Sequence, residues 1–166
     1  MDTYKDLLKA GDVFFIPLTI DFNEKPNKSY SRNKFSTNEE YVFGRFIEDR
    51  KGSGVLIEVF SKKTSLNDFN HDKVVNSGNL FPPICVSGIE FTKKRWRVLA
   101  SNSDYDKVIN SNYNEIQFVL NPYDSPKLLT LSNKLKQEIH QKEVNDFEIA
   151  RIWLPNQVEQ RIKDSL

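Results

Sequence analysis

Apolar residues along this chain gather in short runs rather than in long stripes at helical spacing, and stretches rich in Asn, Asp, Ser and Lys separate them. Such punctuation favours strands over helices. Val13-Phe14-Phe15-Ile16-Pro17-Leu18 is β-branched and aromatic with no polar alternation, which predicts a strand buried on both faces. Pro17 has no N–H for a ladder, so the strand's end belongs at a sheet edge or a bulge. Tyr41–Glu48 and Val55–Phe60 flank the Gly-containing connection Asp49–Gly54 and predict a hairpin, with Gly44 marking a bulge or tight bend. Further strands are predicted at Ile84–Val86 after Phe81-Pro82-Pro83, at Arg95–Leu99 beyond a turn at Gly88, at Ile116–Leu120, and at the alternating Phe147–Trp153. Asn121–Pro126, with two prolines, reads as a turn.

Helical spacing occurs near the two ends. Tyr4, Leu7 and Leu8 share a face, with Thr3 and Asp6 placed as caps and Gly11 as a stop, which predicts a short helix over Thr3–Ala10. After Pro155 the apolar positions Leu154, Val158 and Ile162 predict a helix, with Asn156 as its cap and Glu159 three residues on. Leu128–Val144 fits either a helix through Leu131, Leu135 and Ile139 or a strand starting at Lys127. Thr19–Glu40 and Ser61–Leu80 are long and polar, and loops of that length are usually functional or disordered. No internal repeat is evident. The fold class expected is α+β and predominantly β: a curved antiparallel sheet or partly open barrel with one or two packed helices, formed by a single domain over residues 1–166.

Composition supports a folded chain. Twelve Phe, six Tyr and two Trp in 166 residues provide bulky β-formers that disordered chains lack. A net charge of +1 favours neither nucleic acid nor a strongly basic partner. No apolar run approaches the length of a membrane span, and the first residues carry no basic-then-apolar leader pattern, so the protein is expected to stay in the cytoplasm without membrane contact. A single cysteine, Cys85, excludes an internal disulfide and a multi-cysteine zinc site.

Candidate chemistry is sparse. His71 has Asp68 and Asp72 beside it, residues able to hold a metal or orient an imidazole, but metal sites need three or four converging ligands and a solvated loop histidine is the preferred reading. His140 reads as a surface position. Cys85 sits in an apolar strand, which favours a buried, inert thiol over a nucleophile. The basic cluster Lys93, Lys94, Arg95 and Arg97 surrounds Trp96. Strand alternation places both arginines on one face, either as a phosphate-neutralising patch with a stacking aromatic or as a charged, aggregation-resistant edge with Trp96 in the core. The second is preferred. Glu48, Glu58 and Glu90 near strand ends read as surface carboxylates. Phosphate-binding glycine signatures, a nucleophile elbow and a metalloprotease helix are absent. No catalytic residue, metal or cofactor is expected.

Three segments taken in order carry a family resemblance. They are Gly11-Asp12-Val13-Phe14-Phe15-Ile16-Pro17-Leu18; Tyr41-Val42-Phe43-Gly44-Arg45-Phe46 followed by Ile57-Glu58-Val59-Phe60; and Arg95-Trp96-Arg97-Val98-Leu99 followed by Pro155-Asn156-Gln157-Val158-Glu159-Gln160-Arg161-Ile162. The set resembles the immunity protein 26 family of bacterial polymorphic toxin systems, across nearly the whole chain. The resemblance implies a non-catalytic protein that binds and occludes a cognate toxin, a nuclease being one class of such toxins. It brings no catalytic residues. Aromatic side chains in or beside the polar loops, Tyr30, Phe35, Tyr105, Tyr113 and Tyr123, are the candidate partner contacts, since exposed aromatics tend to become binding hot spots. The competing expectation is a small barrel that binds nucleic acid through Lys93–Arg97.

Overall fold

The computed structural model describes residues 2–18 and 29–166; part of the long polar stretch after Leu18, residues 19–28, lies outside them. Two short strands open the chain, β1 (Thr3–Tyr4) and β2 (Leu8–Lys9), paired antiparallel. This hairpin replaces the predicted N-terminal helix. Lys5 and Asp6 both take left-handed conformations, φ 46° and 56°, which turn the chain where a helix would continue it. Asp12 completes the return by accepting the Lys9 N–H at 2.9 Å. Tyr4 and Leu8 still reach the core together, as their spacing required.

β3 (Val13–Pro17), wholly buried, pairs with β4 (Glu40–Asp49), which runs through a 3₁₀ turn at Lys51–Ser53 into β5 (Val55–Phe60). This is the predicted hairpin. Then come β6 (Thr64–Ser65), α1 (His71–Val75), β7 (Asn79–Val86), α2 (Ile89–Thr92) and β8 (Arg97–Ala100). After α3 (Lys107–Asn110), the strands β9 (Gln117–Leu120), β10 (Lys127–Thr130) and β11 (Lys136–Glu138) follow. The chain continues through β12 (Glu148–Ile149) and β13 (Ile152–Trp153) into α4 (Pro155–Ser165). The ambiguous stretch after Leu128 is thus strand at its start. Lys134 takes a left-handed φ of 57° that turns β10 back into β11, and a helix through Leu135 is ruled out.

A seven-stranded sheet runs β13-β7-β5-β4-β3-β8, with β6 beside β4, and a four-stranded sheet runs β11-β10-β9-β12. Both sheets are open. Most pairings are antiparallel, but β12 joins β9 and β13 joins β7 in parallel. The alternating segment Phe147–Trp153 is therefore two short strands, one in each sheet.

Strand alternation gives the large sheet two buried faces. On one, Phe14, Ile16, Val42, Phe46, Ile57 and Val59 pack with Phe91, Trp96 and, from α4, Val158 and Ile162. The other is divided. Phe15, Tyr41, Phe43 and Phe60 lie under Val74 of α1. Ile47, Leu56 and Cys85 lie under Ile116, Phe118 and Leu131 of the second layer. Between these apolar halves the same alternation places Arg45 and Glu58.

Gly44 is needed for close approach and marks no bulge. A Cβ there would stand 2.5 Å from the Phe14 ring and 2.9 Å from the Glu58 carbonyl, while the register irregularity falls between Phe46 and Glu48. The strand predicted at Ile84–Val86 is longer than expected, running back through Pro82 and Pro83, where the pairing with β5 shifts register. Only Cys85 and Val86 pair with β13, so the prolines sit on an open side of the strand. At the opposite edge of that sheet a register irregularity breaks β8, and the outermost strand of the small sheet, β11, is the fully exposed Lys-Gln-Glu.

Candidate partner-binding surface

The polar seam across the large sheet is closed by residues 101–115. Arg45 Nε donates to Glu58 Oε2 at 3.2 Å, and both side chains are buried. Arg45 Nη2 donates to the Asn110 carbonyl at 2.7 Å and to the Ser111 hydroxyl at 3.2 Å. Ser111 in turn makes a short hydrogen bond to Glu58. The Tyr105 ring covers the Arg45 guanidinium at 5.0 Å, and its hydroxyl lies 2.7 Å from Ser111 Oγ. Burial pushes the Tyr105 phenol up to about 12, so it stays a neutral hydroxyl here. A buried pair left partly unsatisfied would be costly, and the Asn110 carbonyl and Ser111 hydroxyl supply the missing acceptors.

The segment is held at a second point. Glu48 accepts from Lys107 Nζ at 2.9 Å and from the Tyr113 hydroxyl at 2.7 Å, with Lys107 over the Tyr113 ring. Burial and the carboxylate both raise the Tyr113 phenol, whose proton stays on the hydrogen bond. The Asp106 carboxylate caps α3 through the Val108 and Ile109 N–H groups. Above these anchors Val108 is 44% exposed and Ile109 76% exposed. The fold therefore holds an apolar crest in water on a backbone fixed from below.

The basic cluster has a different fate from the one its sequence suggests. β8 begins only at Arg97; before it, α2 ends at a turn in which Lys94 takes a left-handed φ of 63°. Strand alternation does not reach Arg95. Arg95 and Trp96 both point inward and meet Glu159 of α4: Arg95 Nη2 and Nε donate at 2.7 and 2.9 Å, and Trp96 Nε1 at 3.0 Å. Burial lowers the Arg95 guanidinium's affinity for its proton, but the Glu159 hydrogen bond and charge outweigh it and the net displacement is upward. Arg97 donates to the carbonyls of Lys94, Tyr30 and Asn33. Lys93 and Lys94 remain at the surface, so the four residues form no common basic face.

Asn156 and Glu159 accordingly form no capping box for α4; Leu154 is the N-cap, and the Gln157 side chain accepts its N–H. Glu48, Glu58 and Glu90, read as surface carboxylates, are all buried. Glu90 lies 3.6 Å from Arg95 Nε, and burial with repulsion from Glu159 pushes its carboxyl up to about 7. These two acids share one guanidinium.

A family model described as Immunity protein 26 matches residues 9–125. The chain belongs to the immunity protein 26 family. No curated protein and no solved structure matches it. Within the immunity protein 26 match lie the large sheet from β3 to β8, the seam residues Arg45, Glu58 and Ser111, and the crest; Glu159 and both parallel strands lie beyond it.

On this immunity protein 26 scaffold the five candidate aromatics fall in different places. Tyr30 is buried, its ring 5.0 Å from the Arg95 guanidinium. Phe35 is half-buried against Phe15, Tyr41 and Arg97. Tyr105 and Tyr113 are half-buried anchors of the crest. Tyr123, in the turn after β9, is 91% exposed. His71 opens α1 with its Nδ1 3.1 Å from Asp72 Oδ1, while Asp68 bonds Ser65. Among the described residues no group of His, Cys, Asp and Glu side chains is arranged to hold a metal. Cys85 is buried, and burial pushes its thiol up to about 11, so it is an inert core residue. No helix of the described residues is long and apolar enough to cross a membrane.

Sequence reading missed Arg45, Val108 and Ile109. Arg45 had a signal, a charge inside the apolar strand Tyr41–Ile47, where only a buried partner makes such a residue tolerable. The crest had none, because Ile109 is exposed only through the anchoring of its neighbours.

Proposed function

We propose that this protein neutralises a cognate polymorphic toxin in the bacterial cytoplasm by binding and covering it, without catalysis. Membership of the immunity protein 26 family supplies the functional class. The observation that carries the mode of action is the adjacency of Ile109, in water, to Asn110, whose carbonyl holds the buried Arg45 guanidinium. An apolar side chain one residue from a buried ionic anchor is presented with little conformational freedom left to lose, which favours tight, rigid docking. Interface centres are commonly built from such anchors in desolvated contact. Tyr123 is a second contact. Tyr105 and Tyr113 act through the crest that they position, and Tyr30 and Phe35 act through the loop they pack.

Co-expression with the toxin encoded beside this gene tests the reading. Growth is expected to be restored and the two proteins to co-elute as a stable complex. A toxin that kills regardless, and that does not co-elute, overturns it.

A further inference from the structure

Arginine side chains in this protein are mostly satisfied from within. Arg45 is held by Glu58, Arg95 by Glu159, Arg161 by Glu148, and Arg97 by backbone carbonyls. Arg50 and Arg151 differ, as does the exposed Arg32. Among the described residues no carboxylate pairs with Arg50 or Arg151: Arg151 donates to the neutral Gln157 amide at 3.0 Å and stacks over Trp153, and the Arg50 guanidinium makes no hydrogen bond or ion pair. Both line one cleft of about 250 Å³, between the Arg50–Ser53 turn on one side and the β12–β13 connection on the other. Its floor and walls are apolar: Phe118, Leu129 and Ile152, with Cys85 at the base. The Arg50 charge opposes the effect of burial on the Cys85 thiol, and the Glu48 charge acts there in the other direction. The acids nearest the Arg50 turn are already engaged, Glu48 by Lys107 and Tyr113 and Asp49 by Lys51.

We propose that this cleft seats an acidic side chain of the toxin together with an apolar neighbour, the carboxylate on Arg50 and Arg151 and the apolar group on Phe118, Leu129 and Ile152. The toxin as occupant rests on the immunity reading above. Charge complementarity points to an anion, because two arginines line an apolar hollow whose other lining residues carry no charge. Guanidinium forks match carboxylates in shape as well as sign. The size points to one or two side chains, since sites for whole small ligands generally start at about 300 Å³. Location points to a partner-specific contact. Arg50, Gly52, Ser53 and Cys85 lie inside the family match, whereas Ala150, Arg151 and Ile152 lie beyond residue 125, so one wall is supplied by sequence outside the shared region.

The test has two arms. In the first, N-acetyl-leucinate and its neutral analogue N-acetyl-leucinamide are titrated into the intact protein while backbone amide signals of Gly52, Ser53, Ala150 and Ile152 are followed. The carboxylate is expected to shift them saturably, with a dissociation constant on the order of 1–10 mM for so small a probe. The amide, and the R50Q/R151Q double variant with either probe, are expected to give no saturable shift. Equal response to both probes, or none, overturns the anion site. In the second arm, toxin affinity is measured for wild type and for R50Q/R151Q after matched thermal melts. A loss of about 10-fold or more supports the toxin as occupant. A complex that forms with undiminished affinity overturns that occupant and leaves the immunity reading standing. A wild-type protein that binds no toxin removes the immunity reading and the toxin occupant with it, and the first arm alone still decides whether the cleft takes a carboxylate.

Discussion

Arg95 Nη2 lies 2.7 Å from Oε1 of Glu159, joining two fully buried side chains 64 positions apart. The Trp96 indole donates to the same carboxylate. Helix α4 is therefore fastened to the turn leading into β8 by one acid that accepts from two residues. Removing Arg95 leaves Glu159 buried without its cation, so Arg95→Ala is expected to cost about 3–5 kcal/mol in urea unfolding, and Glu159→Ala less, because Glu90 stays beside the guanidinium. A loss under about 1 kcal/mol from Arg95→Ala would show the pair to be dispensable.

Glu90 makes stability depend on pH. Its folded carboxyl sits near 7 because of burial and repulsion from Glu159, above the ordinary 4.5. A raised carboxyl binds its proton more tightly in the folded state. Its contribution is thus fully present below pH 4.5 and is lost as pH rises toward 7. Glu90→Gln removes that dependence, so relative to wild type the variant should gain stability between pH 5 and pH 8, by no more than a few kcal/mol. Urea midpoints of the two proteins at both pH values provide the comparison.

Gly44→Ala places a methyl group 2.5 Å from the Phe14 ring. Phe14 cannot yield easily, being stacked on Trp96 and edge-on to Phe91. Overpacking of this kind costs about 1–3 kcal/mol, read as a lower thermal midpoint. An unchanged midpoint would mean that the ring has room to shift.

How far the fold could be read depended on the range of the determining contacts. Val13–Pro17 and the Tyr41–Phe60 hairpin were legible because neighbouring apolar residues and a local turn specify them. The N-terminal segment was misread because a hairpin and a helix can both bring Tyr4 and Leu8 to the core, and the left-handed turn at Lys5-Asp6 has no glycine to announce it. Arg95 was misread because alternation was extended back past the turn at Lys94. Glu159 reads as the capping-box partner of Asn156 because its real partner lies 64 residues away. The same limit hid the crest and the Arg50–Arg151 cleft, each assembled from distant segments.

Ile109→Asp should separate binding from folding. The side chain is mostly in water, so stability is expected to stay within about 0.5 kcal/mol of wild type. Toxin affinity should fall about 10-fold or more. Tyr123→Ala checks the second contact, with the affinity of both variants measured by calorimetric titration. Unchanged affinity in both variants would move the interface elsewhere on the surface.

Cys85 should resist thiol reagents in the native protein. Burial holds its thiol near 11, leaving little thiolate at neutral pH. Labelling by a chromogenic disulfide is expected to be slow in buffer and rapid in denaturing urea. Rapid native labelling would place the thiol within reach of solvent.

The sheet margins have a consequence for storage. Prolines on β7, a broken register on β8 and an all-polar β11 each interrupt the row of free backbone groups along which copies of a β protein can zip together. If the protein acts by covering its target, as proposed above, it is needed in at least equal amount, and interrupted margins of this kind disfavour fibre growth at high concentration.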